Sequence, residues 1–376
     1  MVSPIFVYMM LNPHVRHSPW LMPYYHSMKV VLLKCETYRK PILKATIERG
    51  LNLLGYTDII RRGDRVLLKP NLLAAKPPSA AVTTHPMVVE SVAEWVIDHG
   101  GKVLIGDSPG GAVKDMENLW TITGMRAVAN KVGAELLNLN RYPIKIVDDL
   151  HISKICDDVD MIVNLPKLKT HSLTGMTMAV KNLFGLVPGL YKSHLHRVYP
   201  DPISFTKMLL RLYRLIPSNI SVLDGILGME GNGPSAGEPK AFGILGMADD
   251  ALAMDFAIAK LARVSGRAFP EIKVAPTPSY ELMSEVTTLS IRMPQTRVVN
   301  LILPTVLRYI YSLLFSYRPV ITNRCRTCGV CADSCPVNAI SGPPYTIDYR
   351  KCILCTCCYE VCPYGAIKIK RSVFRI

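Results

Sequence analysis

Nine of the eleven cysteines in this 376-residue chain lie between Cys325 and Cys362, and this clustering constrains the fold more than any other feature. The spacing Cys-x2-Cys-x2-Cys-x3-Cys-Pro begins at Cys325 and is repeated 27 residues later from Cys352, and each copy continues into an Ala-Ile pair. Disulfide scaffolds spread their cysteines more evenly, whereas closely spaced groups are typical of metal sites in a reducing compartment. The pattern therefore predicts a metal-binding domain in a cytoplasmic protein.

Residues 319–376 resemble the bacterial two-cluster ferredoxins, because eight cysteines, Pro336 and Pro363 fall in the register of that family. In those ferredoxins the fourth cysteine of each repeat binds the cluster held by the other repeat. The resemblance therefore implies two [4Fe-4S] clusters and a role in electron transfer. The implied ligands are Cys325, Cys328, Cys331 and Cys362 for the first cluster, and Cys352, Cys355, Cys358 and Cys335 for the second.

A pair of zinc sites is the alternative for this region. Zinc would use two Cys-x2-Cys pairs and would leave the other cysteines without a role, so iron–sulfur clusters are favoured. Cys357 is surplus to the repeat. It is interpreted as a small apolar side chain buried beside a cluster, with ligand exchange as the alternative.

The chain is basic, with 44 Lys and Arg against 29 Asp and Glu and a formal net charge of +15. A charge of this sign favours nucleic acid, anionic lipid or an anionic substrate as a ligand. Two clusters and their thiolates would lower the charge to about +11. The remaining basic side chains are diffuse and form no arginine-rich run, so we expect an anionic small molecule and no nucleic acid.

Segments rich in Val, Ile and Leu alternate with helical segments between residues 28 and 290. This alternation predicts the α/β class, as a mostly parallel sheet with flanking helices, followed by the small C-terminal α+β ferredoxin-like domain. Strands are predicted at 29–34, 65–69, 102–106, 161–165, 220–224 and 241–246, and helices at 40–54, 86–99, 203–215 and 249–263.

The same pattern divides the chain into four regions. Residues 1–27 are interpreted as an extension outside the core, with Met28 as the favoured start. The α/β domain then covers 28–290, a bridging helix or linker 291–318, and the ferredoxin domain 319–376. The stretch 298–317 is the longest apolar run; a bridging helix is favoured there over weak contact with a membrane surface and over a membrane span.

Polar strings follow several predicted strands, and ligands of open parallel sheets bind at the carboxyl ends of the strands. The strings are Lys-Pro-Asn at 69–71, Thr-Thr-His-Pro at 83–86, Gly-Asp-Ser-Pro-Gly-Gly at 106–111, Asn-Leu-Pro-Lys-Leu-Lys-Thr-His at 164–171, Lys-Asn at 181–182 and a glycine-rich loop at 228–239. Together they resemble the family catalogued as domain of unknown function 362, over about residues 28–290. The resemblance implies an iron–sulfur-associated α/β protein and no particular reaction.

The strings supply candidate residues for an anionic substrate. The substrate-binding candidates are Lys69, Asn71, Ser108, Lys167, Lys169, Lys181 and Asn182. His85 and His171 are candidate proton carriers, and Asp107 and Glu230 are the acidic catalytic candidates. Each residue also fits a structural role: a strand-end Lys is usually solvated, His85 could cap a helix, and Asp107 could belong to a turn.

Glycines support no nucleotide-binding motif, because no Gly-x-Gly-x-x-Gly signature follows a strand with the required acidic residue beyond it. The glycine-dense segment 225–237 is interpreted as a mobile lid or as a loop tip.

We therefore expect a redox partner protein to pass electrons through two [4Fe-4S] clusters to an anionic small molecule bound in the α/β domain, as in a ferredoxin-linked oxidoreductase. Two alternatives stay open. One is a non-enzymatic electron carrier or assembly factor whose α/β domain docks a partner protein. The other is a non-redox α/β enzyme with structural clusters. A concave site near a cluster would favour an enzyme over a carrier.

Overall fold

The structure is a computed structural model, and it describes residues 28–110, 113, 115–217, 220–294 and 316–372. The strands are β1 Met28–Lys34, β2 Arg65–Pro70, β3 Lys102–Asp107, β4 Glu135–Asn138, β5 Ile144–Val147, β6 Leu150–Ser153, β7 Met161–Leu165, β8 Lys167–His171, β9 Gly175–Thr177, β10 Ile220–Glu230, β11 Glu238–Ala248, β12 Tyr280–Ser284, β13 Ser316–Ile321, β14 Ile340–Ser341, β15 Thr346–Ile347 and β16 Ile367–Ser372.

The α-helices are α1 Lys40–Leu54, α2 Pro86–Asp98, α3 Met116–Ile122, α4 Met125–Val132, α5 Ile155–Asp158, α6 Ala179–Asn182, α7 Gly189–Val198, α8 Pro202–Leu215, α9 Ala251–Leu261, α10 Pro270–Val274, α11 Val330–Asp333 and α12 Cys357–Val361. Short 3-10 helices cover Pro78–Ala80 and Leu183–Leu186. No helix among the described residues is long and apolar enough to cross a membrane.

In the described part of the chain, ten strands form one sheet in the order β12-β1-β11-β10-β7-β2-β3-β4, with β8 and β9 extending it beside β10. The strands from β10 through β7, β2 and β3 to β4 are parallel, and β1 is parallel to β12. Strand β11 runs antiparallel to both of its neighbours. The predicted α/β class, with a mostly parallel sheet and flanking helices, is confirmed.

Apolar cores lie on both faces of the sheet, because successive side chains of a strand point to opposite faces. On β2, Leu67 packs into the core that contains Phe205 of α8, whereas Leu68 packs into the core that contains Val89 of α2. The helices begin where the sequence supplies end signals. Helix α2 starts at Pro86, and the His85 ring nitrogen Nδ1 accepts a hydrogen bond from the Met87 N–H at 3.2 Å.

The six predicted strands and four predicted helices are present, but two sequence interpretations are corrected. Residues 225–230 belong to β10, so the lid or loop predicted at 225–237 is wrong for that half, and only 231–237 connect β10 to β11. The string Lys167–His171, predicted to follow the strand at 161–165, is itself strand β8 beside β10.

The C-terminal region is a small strand and helix unit of the ferredoxin-like kind. Strand β13 pairs antiparallel with β16, β14 pairs with β15, and helices α11 and α12 lie within the two cysteine runs. Residues 1–27 and 295–315 lie outside the described residues. The predicted N-terminal extension and the apolar bridging segment therefore stay predictions.

Candidate functional site

A cavity of about 80 Å³ lies between the carboxyl ends of the sheet strands and helix α12 of the ferredoxin-like unit. Lys69 and Asp107 reach it from the ends of β2 and β3, and Lys169 reaches it from β8. The predicted residues that line it are Lys69, Asn71, Asp107, Ser108, Lys169, His171, Lys181 and Asn182. The C-terminal unit contributes Cys357, Glu360 and Val361. Polar strings that are far apart in sequence therefore share one site.

The deepest charged pair of this cavity joins Lys69 to Asp107. The Lys69 Nζ lies 2.8 Å from the Asp107 Oδ1, and both side chains are almost fully buried. Asp107 also accepts a hydrogen bond from the Leu72 N–H at 2.7 Å. Burial lowers the pKa of Lys69, and the carboxylate of Asp107 opposes that shift.

Buried amides connect neighbouring strings and hold Lys169 in place. Asn182 donates to the Asn164 Oδ1 at 2.8 Å, Asn71 donates to the Asn182 Oδ1 at 3.0 Å, and Lys169 donates to the Asn71 Oδ1 at 2.7 Å. Lys169 also donates to the Val82 carbonyl at 2.8 Å. These partners are neutral and do not compensate a charge on Lys169, and burial lowers its pKa well below the ordinary value.

Three lining residues, Lys192, His196 and Glu360, were not predicted from the sequence. Lys192 donates to the carbonyl oxygen of Ser108 and to its Oγ, the latter at 3.2 Å. Burial lowers the pKa of Lys192 to about 7 and that of His196 to about 4. Lys192 is therefore an amine that can change protonation state near neutral pH, which a surface lysine cannot do.

His171 occupies a position suited to proton transfer. Its Nδ1 accepts hydrogen bonds from the Leu173 and Thr174 N–H groups, at 3.1 and 3.3 Å. A ring nitrogen that accepts carries no proton, so the proton of the neutral ring lies on Nε2. This Nε2 lies 3.4 Å from the Glu360 Oε1, so the contact joins the α/β domain to the C-terminal unit across the cavity.

Positive charge dominates the lining. Asp107 and Glu360 are the two carboxylates among the lining residues, against four amines when all are protonated: Lys69, Lys169, Lys181 and Lys192. Burial lowers the pKa of Lys181, whose ammonium nitrogen lies 5.6 Å from the centre of the Phe184 ring. An anion in the cavity would compensate for the water that these amines have lost, and would favour their charged forms.

Three predicted site residues lie elsewhere. Lys167 does not line the cavity, because it forms a fully buried ion pair with Asp224 across β8 and β10 at 2.7 Å. His85 stacks on the Tyr38 ring at a centroid distance of 3.6 Å and caps α2. Glu230 bonds Lys240 at 3.0 Å and accepts from the Arg292 N–H at 3.0 Å. These contacts give all three residues structural partners outside the cavity.

Two smaller cavities separate the cysteines of the C-terminal unit into two sets. One, of about 20 Å³, is lined by Cys325, Cys328, Cys331 and Cys362. The other, also of about 20 Å³, is lined by Cys335, Cys352, Cys355 and Cys358, and also by Cys357. Each set contains three cysteines of one repeat and the fourth cysteine of the other, together with apolar side chains such as Ile340 and Ile367. The residues present therefore fit the crossed ligand sets of two [4Fe-4S] clusters.

Comparison with known proteins finds two family matches in the chain. Residues 66–260 match the domain of unknown function DUF362, and residues 324–366 match a 4Fe-4S dicluster domain. The chain belongs to the DUF362 family. Its C-terminal domain is a [4Fe-4S]-binding domain whose ligands are cysteines.

One curated relative of this DUF362 protein is a thylakoid-associated protein of Synechocystis sp.. The two are 36% identical over 285 residues, which cover 74% of this chain and 88% of the relative. A crystal structure of a Thermotoga maritima protein aligns with a TM-score of 0.34 and 12% identity. That alignment covers 57% of this chain and 56% of the Thermotoga chain, so the DUF362 protein spans little more than half of it.

Proposed function

We propose that this DUF362 protein is a cytoplasmic ferredoxin-linked oxidoreductase, in which two [4Fe-4S] clusters deliver electrons to an anionic small molecule bound in the lysine-rich cavity lined by Lys69, Lys169, Lys181 and Lys192. One observation carries the proposal. Cys357 borders both the lysine-rich cavity and the cavity lined by the second set of cluster cysteines. A ligand in the lysine-rich cavity would therefore be separated from the second cluster by about one side chain.

The lining supports a small organic dianion as the substrate class. With all four amines protonated, Lys69, Lys169, Lys181 and Lys192 exceed the two carboxylates by two positive charges. The cavity volume of about 80 Å³ restricts the substrate to a small molecule. Apolar lining from Leu72, Phe184 and Val361 suits a carbon skeleton that carries the charged groups.

The proposed reaction adds two electrons and two protons to an unsaturated bond of the substrate. A low-potential one-electron carrier protein is the reductant, and two equivalents of it are oxidised. Clusters with four thiolate ligands supply single electrons when bound. Lys169 and Lys181 hold the anion. Lys192, with a pKa of about 7, and His171, with its proton on Nε2, are placed to give the two protons.

A concave polar site beside the cluster cysteines favours an enzyme over a simple electron carrier. A carrier requires an exposed docking surface and no internal polar cavity. Here Lys69, Lys169 and His171 are each no more than 1% exposed, and burying such groups is costly unless they serve a ligand or a partner group.

The test uses the anaerobically purified protein with its clusters reduced. A panel of dicarboxylates and phosphate esters is added, and reoxidation of the clusters is followed by visible absorbance. We expect a dianion of the panel to reoxidise both clusters. We expect Lys169→Met and Lys192→Met to weaken its binding by about tenfold or more, since each removes one charged contact. Lys207→Met, at an exposed position of α8, is the matched control.

The pH dependence provides a second readout of the same experiment. Lys192 loses its proton as the pH rises through about 7, so dianion binding should weaken from pH 6 to pH 8 in the wild type. The Lys192→Met variant should lack that step. The proposal fails if a Cys358→Ala variant that lacks the second cluster turns the substrate over at the wild-type rate, because the reaction would then be non-redox.

A further inference from the structure

The side chains that line the two cluster cavities differ in their exposure to solvent. Every side chain that lines the second cavity is buried or half-buried, and Cys357 connects that cavity to the substrate site. The first cavity is lined by three exposed side chains, Arg326, Cys328 and Tyr364, of which Tyr364 is 52% exposed. Electron tunnelling rates fall steeply with distance, so an external carrier reaches the first cluster more readily than the second.

The surface around the first cavity is basic. Arg324 and Arg326 are exposed in the first cysteine loop, and Lys368 is exposed on β16. Lys76 interacts electrostatically with Cys362 and with Lys368, which places another amine near this cluster. Asp333 is the exposed acidic residue of the same repeat. We define the outer cluster face as Arg324, Arg326, Cys328, Tyr364 and Lys368.

We infer that the outer cluster face is the docking surface for an acidic one-electron carrier protein, and that electrons pass from the first cluster to the second and then to the cavity. This inference rests on the proposed function. Charge complementarity steers a partner to its docking site and raises the association rate. Exposed Tyr and Arg side chains are also the types that are enriched in protein interfaces. The basic rim and the aromatic side chain therefore fit an acidic partner.

The experiment measures binding of an oxidised acidic [2Fe-2S] ferredoxin, used as the probe, to the cluster-loaded protein by calorimetry at several salt concentrations. Arg324→Glu/Arg326→Glu reverses the charge of the outer cluster face. Arg350→Glu/Lys351→Glu makes the same charge change beside the second cysteine loop, and Lys207→Glu/Arg214→Glu makes it on α8. All six side chains are exposed.

At low salt we expect the first variant to raise the Kd about tenfold or more and to reduce its dependence on salt. The two control variants should change the Kd by less than about threefold. Stopped-flow reduction by the reduced probe should slow in the same order. Dithionite should reduce all variants to the same extent, which shows that the clusters are intact.

An unchanged Kd for Arg324→Glu/Arg326→Glu overturns the inference, as does an equal loss for Arg350→Glu/Lys351→Glu. Tighter binding of a basic carrier such as a cytochrome c also overturns it. These outcomes are separate from the proposed function, because dithionite-driven turnover needs no docking surface and probe binding needs no substrate.

Discussion

Because Gly185 has no side chain, the buried Lys69–Asp107 ion pair fits beside it. A Cβ atom at this position would lie 1.9 Å from the Asp107 Oδ1 and 2.4 Å from the Lys69 Nζ. Breaking a fully buried pair leaves uncompensated charge. We therefore expect Gly185→Ala to lower the free energy of unfolding by about 3 kcal/mol, measured as a fall in the thermal unfolding midpoint at a fixed scan rate.

Gly110→Ala is the matched control, since Gly110 lines the same cavity. The nearest atom to a Cβ at that position is the Leu73 Cδ1 at 4.0 Å, which leaves room for a methyl group. The midpoint of this variant should stay within about 1 °C of the wild type. Equal midpoints for Gly185→Ala and the wild type would show that the ion pair tolerates the methyl group.

At the level of single residues, the sequence predicts which residues lie in the site better than it predicts which side chains pair with one another. Lys69 follows from its position at the end of β2, and Lys169 from the polar string that follows β7. Lys167 was expected in the same role, but Asp224 lies opposite it on β10 and neutralises it. Strand pairing decides which carboxylate meets which amine, and one sequence does not contain that information. Lys192 lies on helix α7, outside any strand-end string, so nothing in the pattern distinguished it from a solvated lysine.

Helix α6 carries Lys181 and Asn182 into the cavity, and Asp255 of α9 holds its first turn. The Asp255 carboxylate accepts hydrogen bonds from the Ala179 and Val180 N–H groups, at 2.7 and 3.0 Å. Such bonds satisfy donors that a helix leaves unpaired at its start. Glu271 of α10 is buried beside Asp255, and burial together with that carboxylate raises the pKa of Glu271 well above its ordinary value.

The raised pKa of Glu271 predicts a pH-dependent stability. Folded protein keeps this proton above the ordinary pKa of Glu, about 4.3, whereas unfolded protein loses it. The folded state therefore binds more protons, and its stability falls as the pH rises toward the folded pKa. Glu271→Gln removes the titration and keeps a hydrogen-bond donor. As the pH rises above about 4.3, the thermal midpoint should fall in the wild type relative to Glu271→Gln.

Glu281→Gln, at an exposed position of β12, is the control for this comparison and should follow the wild type at every pH. Parallel pH profiles for the wild type and Glu271→Gln would mean that the carboxyl group is ionised in the folded protein. In that case a group other than Glu271 would hold the proton beside Asp255.

At the level of elements, apolar composition predicts the central strands. Strands that are polar or rich in glycine are not predicted by it. β2 and β7 are runs of branched apolar residues, which a strand buried on both faces requires. β8 reads Lys-Leu-Lys-Thr-His, which is typical of a loop, and it is a strand because its amines find buried partners. Because of Gly225 and Gly228, the second half of β10 is not predicted as a strand. The backbones of β10 and β8 pass closely there, since a Cβ at Gly228 would lie 2.5 Å from the Leu168 carbonyl oxygen.

At the scale of the whole molecule, the C-terminal unit contacts the turn between β10 and β11. Tyr359 donates its hydroxyl hydrogen to the carbonyl oxygen of Asn232, and Ser235 donates its own to the Tyr359 carbonyl at 3.5 Å. Ala236 packs against the apolar core of the C-terminal unit. Elsewhere along the same contact, Ser193 of α7 donates to the Ser334 carbonyl at 3.1 Å. The cysteine spacing predicts the clusters, but nothing in the sequence indicates which face of the α/β domain they adjoin.

These contacts make the order of segment 231–237 depend on the clusters. Iron removal should unfold the C-terminal unit, whose small core is built around the cluster cysteines. Segment 231–237 would then lose the contacts of Tyr359, and its amides would exchange faster. Strand β1, which pairs with a neighbouring strand on each side, should keep its protection. We expect hydrogen exchange followed by mass spectrometry to show faster exchange in 231–237 after anaerobic chelation and no change in 28–34.

A Tyr359→Phe variant with intact clusters tests the same coupling without metal loss. It removes one hydrogen bond to Asn232 and leaves the cysteines in place, so exchange in 231–237 should rise to a value between those of the wild type and the iron-free protein. Identical exchange in all three forms would show that the turn is ordered by the α/β domain alone. The cavity wall supplied by Glu360 and Cys357 would then be separable from the rest of the site, and loss of the C-terminal unit would leave a stable but open anion-binding pocket.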